Sequence, residues 1–220
     1  MEQKEKQKET FAQGFSFYKF LWIFIIICIV GYVYETILGF FQIGHFASRQ
    51  GMLLGPFIPV YGCGAVLFML VIQKTDKAWL TFIVTGILGA GFEFLYSYLQ
   101  EYIFGTVSWE YHEYFLNFQG RTSVVHALFW GALGVVFAKW VYPILSKGIE
   151  KIPRKIGVVL SWILILFFLY NVTITVLASW RQRERVYEIP QQDETDQFLD
   201  EHFPDKKLDD TYSNHKRVRP

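Results

Sequence analysis

The segment from Tyr18 to Ile43, YKFLWIFIIICIVGYVYETILGFFQI, carries only two charged residues, Lys19 near its start and Glu35 in its interior. A hydrocarbon core requires about 20 predominantly apolar residues of helix, so this segment predicts a membrane-spanning helix. The lysine-rich residues 1–17 before it resemble the start of a signal peptide, but the apolar run is too long and no small-residue cleavage site follows. We therefore predict a retained first span, preceded by a cytoplasmic N-terminal tail over residues 1–17.

Further apolar runs follow along the chain, and 52% of its residues are hydrophobic and 19% aromatic, as in membrane proteins. The runs predict five spans, at about 18–43, 56–73, 78–101, 122–142 and 156–178. Only helices and closed barrels satisfy the backbone in lipid, and the alternation of barrel strands is missing. We predict an all-α polytopic transmembrane bundle over 18–178, with a broken, Gly/Pro-rich second span.

The remaining residues, 179–220, form a polar C-terminal tail. Residues 181–220 carry ten acidic and eight basic side chains with few apolar anchors. Such composition is typical of chains that cannot bury enough apolar surface to fold, so the tail is predicted to be mostly disordered, with a short helix as the alternative.

Basic residues in the short loops predict the orientation of the bundle. With five crossings, most of them fall on the side of the N-terminus, whereas the loops opposite hold only Arg49 and Arg121. The positive-inside rule then places the N-terminus in the cytoplasm. Arg181, Arg183 and Arg185 follow the last span on the other side and conflict with this assignment, so the side of the C-terminus stays open. If the second span were re-entrant and did not cross the membrane, the predicted side of the C-terminus would also change.

Several classes of function are disfavoured. A net charge of +1 without a basic stripe argues against nucleic-acid binding. No Gly-Lys dipeptide, Gly-x-Ser-x-Gly elbow or His-Glu-x-x-His motif occurs, so we predict no catalytic residues and no cofactor. Cys28 and Cys63 are expected to be small core residues. His45, His112 and His126 share one side of the membrane but lack a recognised ligand spacing, so no metal site is predicted.

Glu35 and Glu93 are the acidic side chains inside the apolar runs. A charged side chain near the bilayer centre costs roughly 2.5–3.5 kcal/mol on insertion scales, so each is a candidate functional residue. Each lies eight residues before the same end of its span, about 12 Å below the non-cytoplasmic surface. We predict that they form one cluster with Arg49 and Arg121, opening outwards. The alternative is that these ion pairs only set the register of the helices.

The segment from Arg49 to Gly64 contains Gly51, Gly55, Pro56, Pro59 and Gly62 and is too rich in Gly and Pro for a regular helix. Irregular backbone at membrane depth is tolerated where it lines a cavity or is buried in protein, and in transporters such broken helices bind substrates or ions. We expect it to supply backbone ligands to the pocket, with a simple kinked helix start as the alternative. The aromatic loop 102–121 is expected at the lipid headgroup layer.

The order of these motifs resembles a bacterial membrane-protein family described as putative ABC-transporter type IV, or CmpB-like. The resemblance covers about residues 18–145. It rests on Gly31-Tyr32-Val33-Tyr34-Glu35, Arg49 to Gly51, Gly55 to Gly62, Glu93, Trp109 to Tyr111 and Asn117 to Arg121. It implies a permease in the bacterial cell membrane working with a separate ATPase or another membrane subunit. It also adds Tyr34, Tyr61, Trp109, Tyr111 and Asn117 to the polar pocket.

These observations predict a permease-like membrane subunit of a small-solute transport system with an outward-facing polar pocket. Two rivals remain open: an intramembrane enzyme acting on lipid headgroups, and a non-catalytic membrane partner or sensor. The sequence names neither the solute nor the direction of its movement.

Overall fold

The computed structural model describes residues 10–218, which form a bundle of α-helices. The helices are α1 (Phe17–Ile43), α2 (Pro59–Ile72), α3 (Ala78–Phe104), α4 (Val124–Val136), α5 (Tyr142–Glu150), α6 (Arg154–Val186), α7 (Glu194–His202) and α8 (Asp205–Thr211). The strands are β1 (Thr106–Val107), β2 (Asn117–Phe118), β3 (Thr122–Ser123) and β4 (Lys216–Arg217). Strand β1 pairs antiparallel with β4, and β2 with β3.

Within the described range, four helical segments are long and apolar enough to cross a membrane: α1, α3, the α4–α5 segment Val124–Glu150, and α6. A π-helical turn, Phe137–Val141, joins α4 to α5. It lies just before Pro143, which lacks the amide hydrogen that a continuous α-helix would use. The predicted all-α polytopic bundle is confirmed.

Helix α2 corresponds to the second predicted span but has only 14 residues. At about 1.5 Å per residue it covers roughly 21 Å of a 30 Å hydrocarbon core. Its Tyr61 lies against Gly31 of α1 and its Gly62 against Cys28, whereas Met69 clusters with Ile23. Helix α2 therefore runs antiparallel along the N-terminal half of α1.

The residues before α2 form the non-helical segment 49–58, which we call the broken segment. Gly55 has a φ of 79°, and Pro59 occupies the first turn of α2. The amide of Ile58 donates to the carbonyl of Cys28 over 3.1 Å, so irregular backbone reaches the middle of α1. Here the chain is not helical for two reasons. Pro56 and Pro59 lack the amide hydrogen of a helical residue, and Gly51 and Gly55 increase the conformational freedom of the backbone.

Helix α6 satisfies the free backbone groups of the broken segment. The amide of Leu53 donates to Thr175 Oγ1, and the amide of Leu54 donates to Asn171 Oδ1, both over 3.0 Å. Asn171 Nδ2 in turn donates to the Leu54 carbonyl over 2.6 Å. Asn171 is fully buried. Since unpaired backbone groups at membrane depth cost several kcal/mol, these bonds explain why the segment can lie there.

The tail predicted to be disordered is folded over its described part, and this corrects the prediction. Residues 189–217, which we call the C-terminal cap, contain α7, α8 and β4. Leu199, Phe203, Leu208 and Tyr212 of the cap form a buried cluster with α6, and Leu53 and Leu54 pack against it. Four apolar anchors suffice because the membrane helices supply the rest of the apolar surface.

Charge pairs fasten the cap to the end of α6. Arg181 donates to both carboxylate oxygens of Asp200 over 3.0 Å and is only 3% exposed. Arg185 reaches Asp200 and Asp205, the latter at 2.6 Å. The carboxyl pKa of Asp200 lies well below its usual range, chiefly because Arg181 donates to it. Of the three arginines that conflicted with the orientation rule, Arg181 and Arg185 therefore pair with acids of the cap, whereas Arg183 donates to the carbonyls of Tyr102 and Ile103.

The cap also joins the broken segment to the loop after α3. The Ser213 amide donates to the Ser48 carbonyl over 3.1 Å, and the Gln50 amide to the Thr211 carbonyl over 3.3 Å. On the other side, β4 pairs with β1, and Lys216 lies 2.9 Å from Glu110. The cap thus covers the end of the bundle at which α1, α3 and α6 finish.

The opposite end of the bundle carries the start of α1. Lys19 is fully buried and lies 2.6 Å from Glu150 of α5. Of the predicted N-terminal tail 1–17, residues 1–9 lie outside the described residues. Phe11 is buried, and its ring occupies the space beside Gly157 of α6.

Candidate polar site

Glu35 of α1 forms a charge-balanced group with residues of the broken segment and α2. Its Oε1 accepts a hydrogen bond from the Tyr61 hydroxyl over 2.5 Å, and its Oε2 lies 3.4 Å from Arg49 Nη1. Arg49 Nη2 also donates to Gln42 Oε1 over 2.8 Å. We call these four residues the α1 group.

Glycines on α1 create the space for this group. A Cβ at Gly31 would lie 2.5 Å from the Tyr61 ring, and one at Gly39 would lie 2.8 Å from Arg49 Nε. Since the two glycines and Glu35 follow one another at spacings of four residues, they share a helix face. The small residues admit the two side chains that neutralise and hydrogen-bond Glu35.

Glu93 of α3 is held differently. Its side chain is buried, with 6% of the residue exposed. Oε1 accepts from the Tyr111 hydroxyl over 3.1 Å, and Oε2 accepts from Thr122 Oγ1 over 2.8 Å. Both donors are neutral hydroxyls, and Trp130 makes a further uncharged side-chain hydrogen bond to Glu93. Over residues 10–218 no ion pair reaches this carboxylate. We call Glu93, Tyr111 and Thr122 the α3 group.

Arg121, predicted to balance the glutamates, pairs instead with Glu101. Its Nη2 forms a very short hydrogen bond to Glu101 Oε2, and its Nη1 donates to Ser97 Oγ over 3.2 Å. The guanidinium also lies over the Tyr98 ring at 5.4 Å. The predicted single cluster of four charges is therefore replaced by two separate ion pairs, Glu35–Arg49 and Glu101–Arg121, with Glu93 in neither.

Tyr111 connects the two carboxylates electrostatically. Burial raises the pKa of its phenol above the usual range, and a negative charge on Glu93 or on Glu35 raises it further. Its ring stacks on His126 with centroids 3.6 Å apart, and His126 contacts Ser123 Oγ over 2.8 Å. The phenol therefore stays protonated and lies within the field of both glutamates.

The other predicted pocket residues shape the surroundings. Tyr34 is 53% exposed and meets the Tyr61 ring edge to face. Trp109 donates from Nε1 to the Arg121 carbonyl over 2.9 Å. Asn117 donates to the His112 and Tyr114 carbonyls and accepts from the Gly120 amide. Trp109 and Asn117 thus hold the loop that carries Tyr111.

The predicted Gly and Pro positions have steric and backbone roles. A Cβ at Gly51 would lie 2.8 Å from Pro59, and one at Gly62 would lie 2.5 Å from Cys28 Sγ. Pro56 follows Gly55, whose positive φ makes the turn. The backbone groups of Leu53 and Leu54, which could have served as ligands, are bound by α6 as described above.

Sequence reasoning missed several residues of these groups. Thr122 and Glu101 gave no signal because each lies at the end of a helix or strand beside many polar neighbours. Asn171 and Thr175 lie on one face of the fifth predicted span, where polar side chains are equally compatible with simple helix packing. Their spacing of four residues in a run without charges was the available signal. Among residues 10–218, no three His, Cys, Asp or Glu side chains are grouped so as to hold a metal ion.

Long apolar helices around one buried and one half-buried carboxylate define a multi-pass membrane protein with a polar interior. The chain belongs to the family described as putative ABC-transporter type IV, whose sequence model matches residues 22–176. The match extends the resemblance seen in the sequence through most of α6. No curated protein and no solved structure matches the chain.

Proposed function

We propose that the protein is the membrane subunit of a small-solute transport system in the bacterial cell membrane, with its N-terminus in the cytoplasm. The pocket is formed by the α1 and α3 groups near the end of the bundle that the cap covers. The observation that carries the proposal is the pair of carboxylates, Glu35 and Glu93, which lie on separate helices and are both close enough to Tyr111 to influence its phenol electrostatically.

A bundle that needed only stability would not require these acids. Small residues already allow close helix contact here: a Cβ at Gly86 would lie 2.9 Å from the Ala127 carbonyl oxygen. Ionisable residues within membrane spans are rare and mark substrate, ion or proton pathways. The family to which the chain belongs supports the same class of function.

The energy source would be a separate subunit. The chain has no phosphate-binding loop, so an ATPase partner must bind from the cytoplasmic side. Lys147, Lys151 and Lys155, around the α5–α6 connection, are exposed at the end of the bundle that carries Lys19. We expect charge reversal at Lys147 and Lys151 to reduce ATPase activity that co-purifies with the protein. Unchanged co-purification would argue against this docking surface.

Charge movement in proteoliposomes tests the transport proposal. A jump in proton or sodium concentration across membranes containing the wild-type protein should give a transient current on a solid-supported membrane. Glu35→Gln and Glu93→Gln should each reduce that current severalfold. Glu113→Gln is the matched control, because Glu113 is exposed in the loop at the same end of the bundle.

The proposal fails if neither jump moves charge in correctly folded wild-type protein. It also fails if both glutamine variants keep the wild-type current. If the protein instead converted the lipid of the vesicles and Glu93→Gln abolished this conversion, the result would support the intramembrane enzyme.

A further inference from the structure

We propose that Glu93 is a proton-binding site and that Glu35 stays ionised as an internal ion pair. The inference deepens the proposed function by assigning the proton as coupling ion. The role of the proton in transport rests on that function, whereas proton binding by Glu93 can be measured without transport.

The contacts of Glu93 lead to this assignment. The carboxyl group is buried beneath Tyr111 and Thr122, whose neutral hydroxyls each donate to one of its oxygens. A carboxylate in an apolar surrounding is stabilised by a cation, by several charge-assisted donors or by protonation. The two hydroxyls and Trp130 are all uncharged donors, which give less stabilisation than an ion pair. The bound proton is the remaining way to neutralise this group.

Glu35 provides the contrast within the same molecule. It has the guanidinium of Arg49 at 3.4 Å as well as the Tyr61 hydroxyl at 2.5 Å, and its side chain is 22% exposed. Opposite charge nearby and partial access to solvent both favour the ionised carboxylate. Two glutamates at similar depth therefore have different charge states.

The nearest candidate counter-ion for Glu93 is held elsewhere. Arg121 contacts Ser97, which lies one helical turn beyond Glu93 on the same face of α3. Its other terminal nitrogen is bound by Glu101. The guanidinium of Arg121 is therefore paired with Glu101, and among residues 10–218 Glu93 has no ion pair.

The oxygen atoms present also favour a proton over a divalent cation. Calcium takes six to eight oxygen ligands, whereas the α3 group supplies two carboxylate and two hydroxyl oxygens. Protonation transfers a proton from hydronium to Oε1: one O–H bond of hydronium breaks, a carboxyl O–H bond forms and a water molecule is left. The carboxylate loses its negative charge, and the Tyr111 hydroxyl changes from donor to acceptor.

Infrared spectroscopy of the purified protein in lipid tests the proposal directly. At neutral pH the wild type should show the carbonyl band of a protonated carboxylic acid, shifted by exchange into deuterium oxide and lost on raising the pH. The band should be missing in Glu93→Gln and retained in Glu35→Gln, which is the matched control. Tyr111→Phe should shift its frequency, because one hydrogen bond to the acid is lost.

Two results would overturn the proposal: a wild-type spectrum without the band at any pH at which the protein is folded, or a band that persists in Glu93→Gln. The wild-type spectrum decides the matter even if the glutamine variant does not fold. A sodium-driven current without a proton-driven one, together with a missing acid band, would refute proton coupling while leaving the transport proposal intact.

Discussion

At the scale of single residues, Gly89 and Gly91 of α3 have opposite surroundings although they are two positions apart. A Cβ at Gly89 would lie 2.4 Å from the Trp130 ring, whereas a Cβ at Gly91 would meet nothing within 4 Å. We expect Gly89→Ala to destabilise the protein by about 1–3 kcal/mol through overpacking. Gly91→Ala should be neutral or stabilising by about 0.5–1 kcal/mol, because alanine has the higher helix propensity.

Thermal unfolding in detergent, followed by loss of the monodisperse peak, measures both glycine variants. Equal melting temperatures for the two would show that α3 and α4 do not approach each other as described.

Asn171 is the second residue whose replacement should have a large effect. Its amide binds both the N–H and the C=O of Leu54. Asn171→Leu would leave two buried backbone groups unpaired, at about 1–3 kcal/mol for each. Thr173→Val on the same helix is the control, because Thr173 is exposed and bonds only to the Leu169 carbonyl of its own helix.

We expect Asn171→Leu to reduce folded yield and melting temperature strongly, and Thr173→Val to leave both near wild type. A mild effect at Asn171 would mean that water or another side chain satisfies Leu54.

The residue types in the sequence indicated much of the site, but not which charged side chains pair with each other. Gly31, Glu35 and Gly39 follow one another at spacings of four residues and so share a face of α1, and that face contacts Tyr61 and Arg49. Which arginine meets which glutamate could not be predicted. Arg121 is 20 positions from Glu101 and closer in sequence to Glu110 and Glu113, so its pairing depends on how the loop 105–123 folds over α3.

At the scale of elements, the C-terminal cap shows where composition fails as a guide. Balanced acids and bases with few apolar residues are typical of disorder. Arg181 and Asp200 form an ion pair although they are 19 positions apart in the sequence. The cluster of Leu199, Leu208 and Tyr212 is completed by residues of α6. Neither contact is local, so neither is visible in a window of sequence.

His215 should make the attachment of the cap depend on pH. Burial lowers its pKa from 6.5 to about 4, and its ring stacks on Tyr212. Because the folded state binds the proton less well, the stability that this residue contributes is present above pH 6.5 and is lost as the pH falls towards about 4. Asp200 keeps its charge over this range, so Arg181 still holds the start of the cap.

A nitroxide label at Lys206→Cys, an exposed position on α8, would report the change. We expect its mobility to increase as the pH falls from 6.5 to about 4. His215→Phe, which keeps the stacking, should abolish the increase, and the exposed His202→Phe should not. A mobility independent of pH in the wild type would contradict the prediction.

At the scale of the whole molecule, the two ends of the bundle differ in kind. The cap and the loop 105–123 cover one end, and the exposed lysines of the α5–α6 connection lie at the other. The proposed orientation places these lysines in the cytoplasm. The uneven distribution of basic residues in the short loops supports it, whereas Arg181, Arg183 and Arg185 at the end of α6 oppose it.

Labelling of intact cells with a membrane-impermeant maleimide tests this orientation. Lys206→Cys should react from outside, and Lys147→Cys should react only after the membrane is permeabilised. The unsubstituted protein is the control, because Cys28 is buried and Cys63 is half-buried. The reverse pattern would invert the bundle, and labelling of both sites from outside would rule out opposite sides for the two ends.

The bonds from Asn171 to Leu54 also constrain biosynthesis. The partners are separated by 117 positions, so a ribosome making 5–20 residues per second needs roughly 6–23 s to deliver α6 after the broken segment has emerged. During that interval the peptide groups of Leu53 and Leu54 have no protein partner in the bilayer. The hairpin of α1 and α2 must therefore stay in the insertion machinery or at the hydrated membrane surface until α6 has been synthesised.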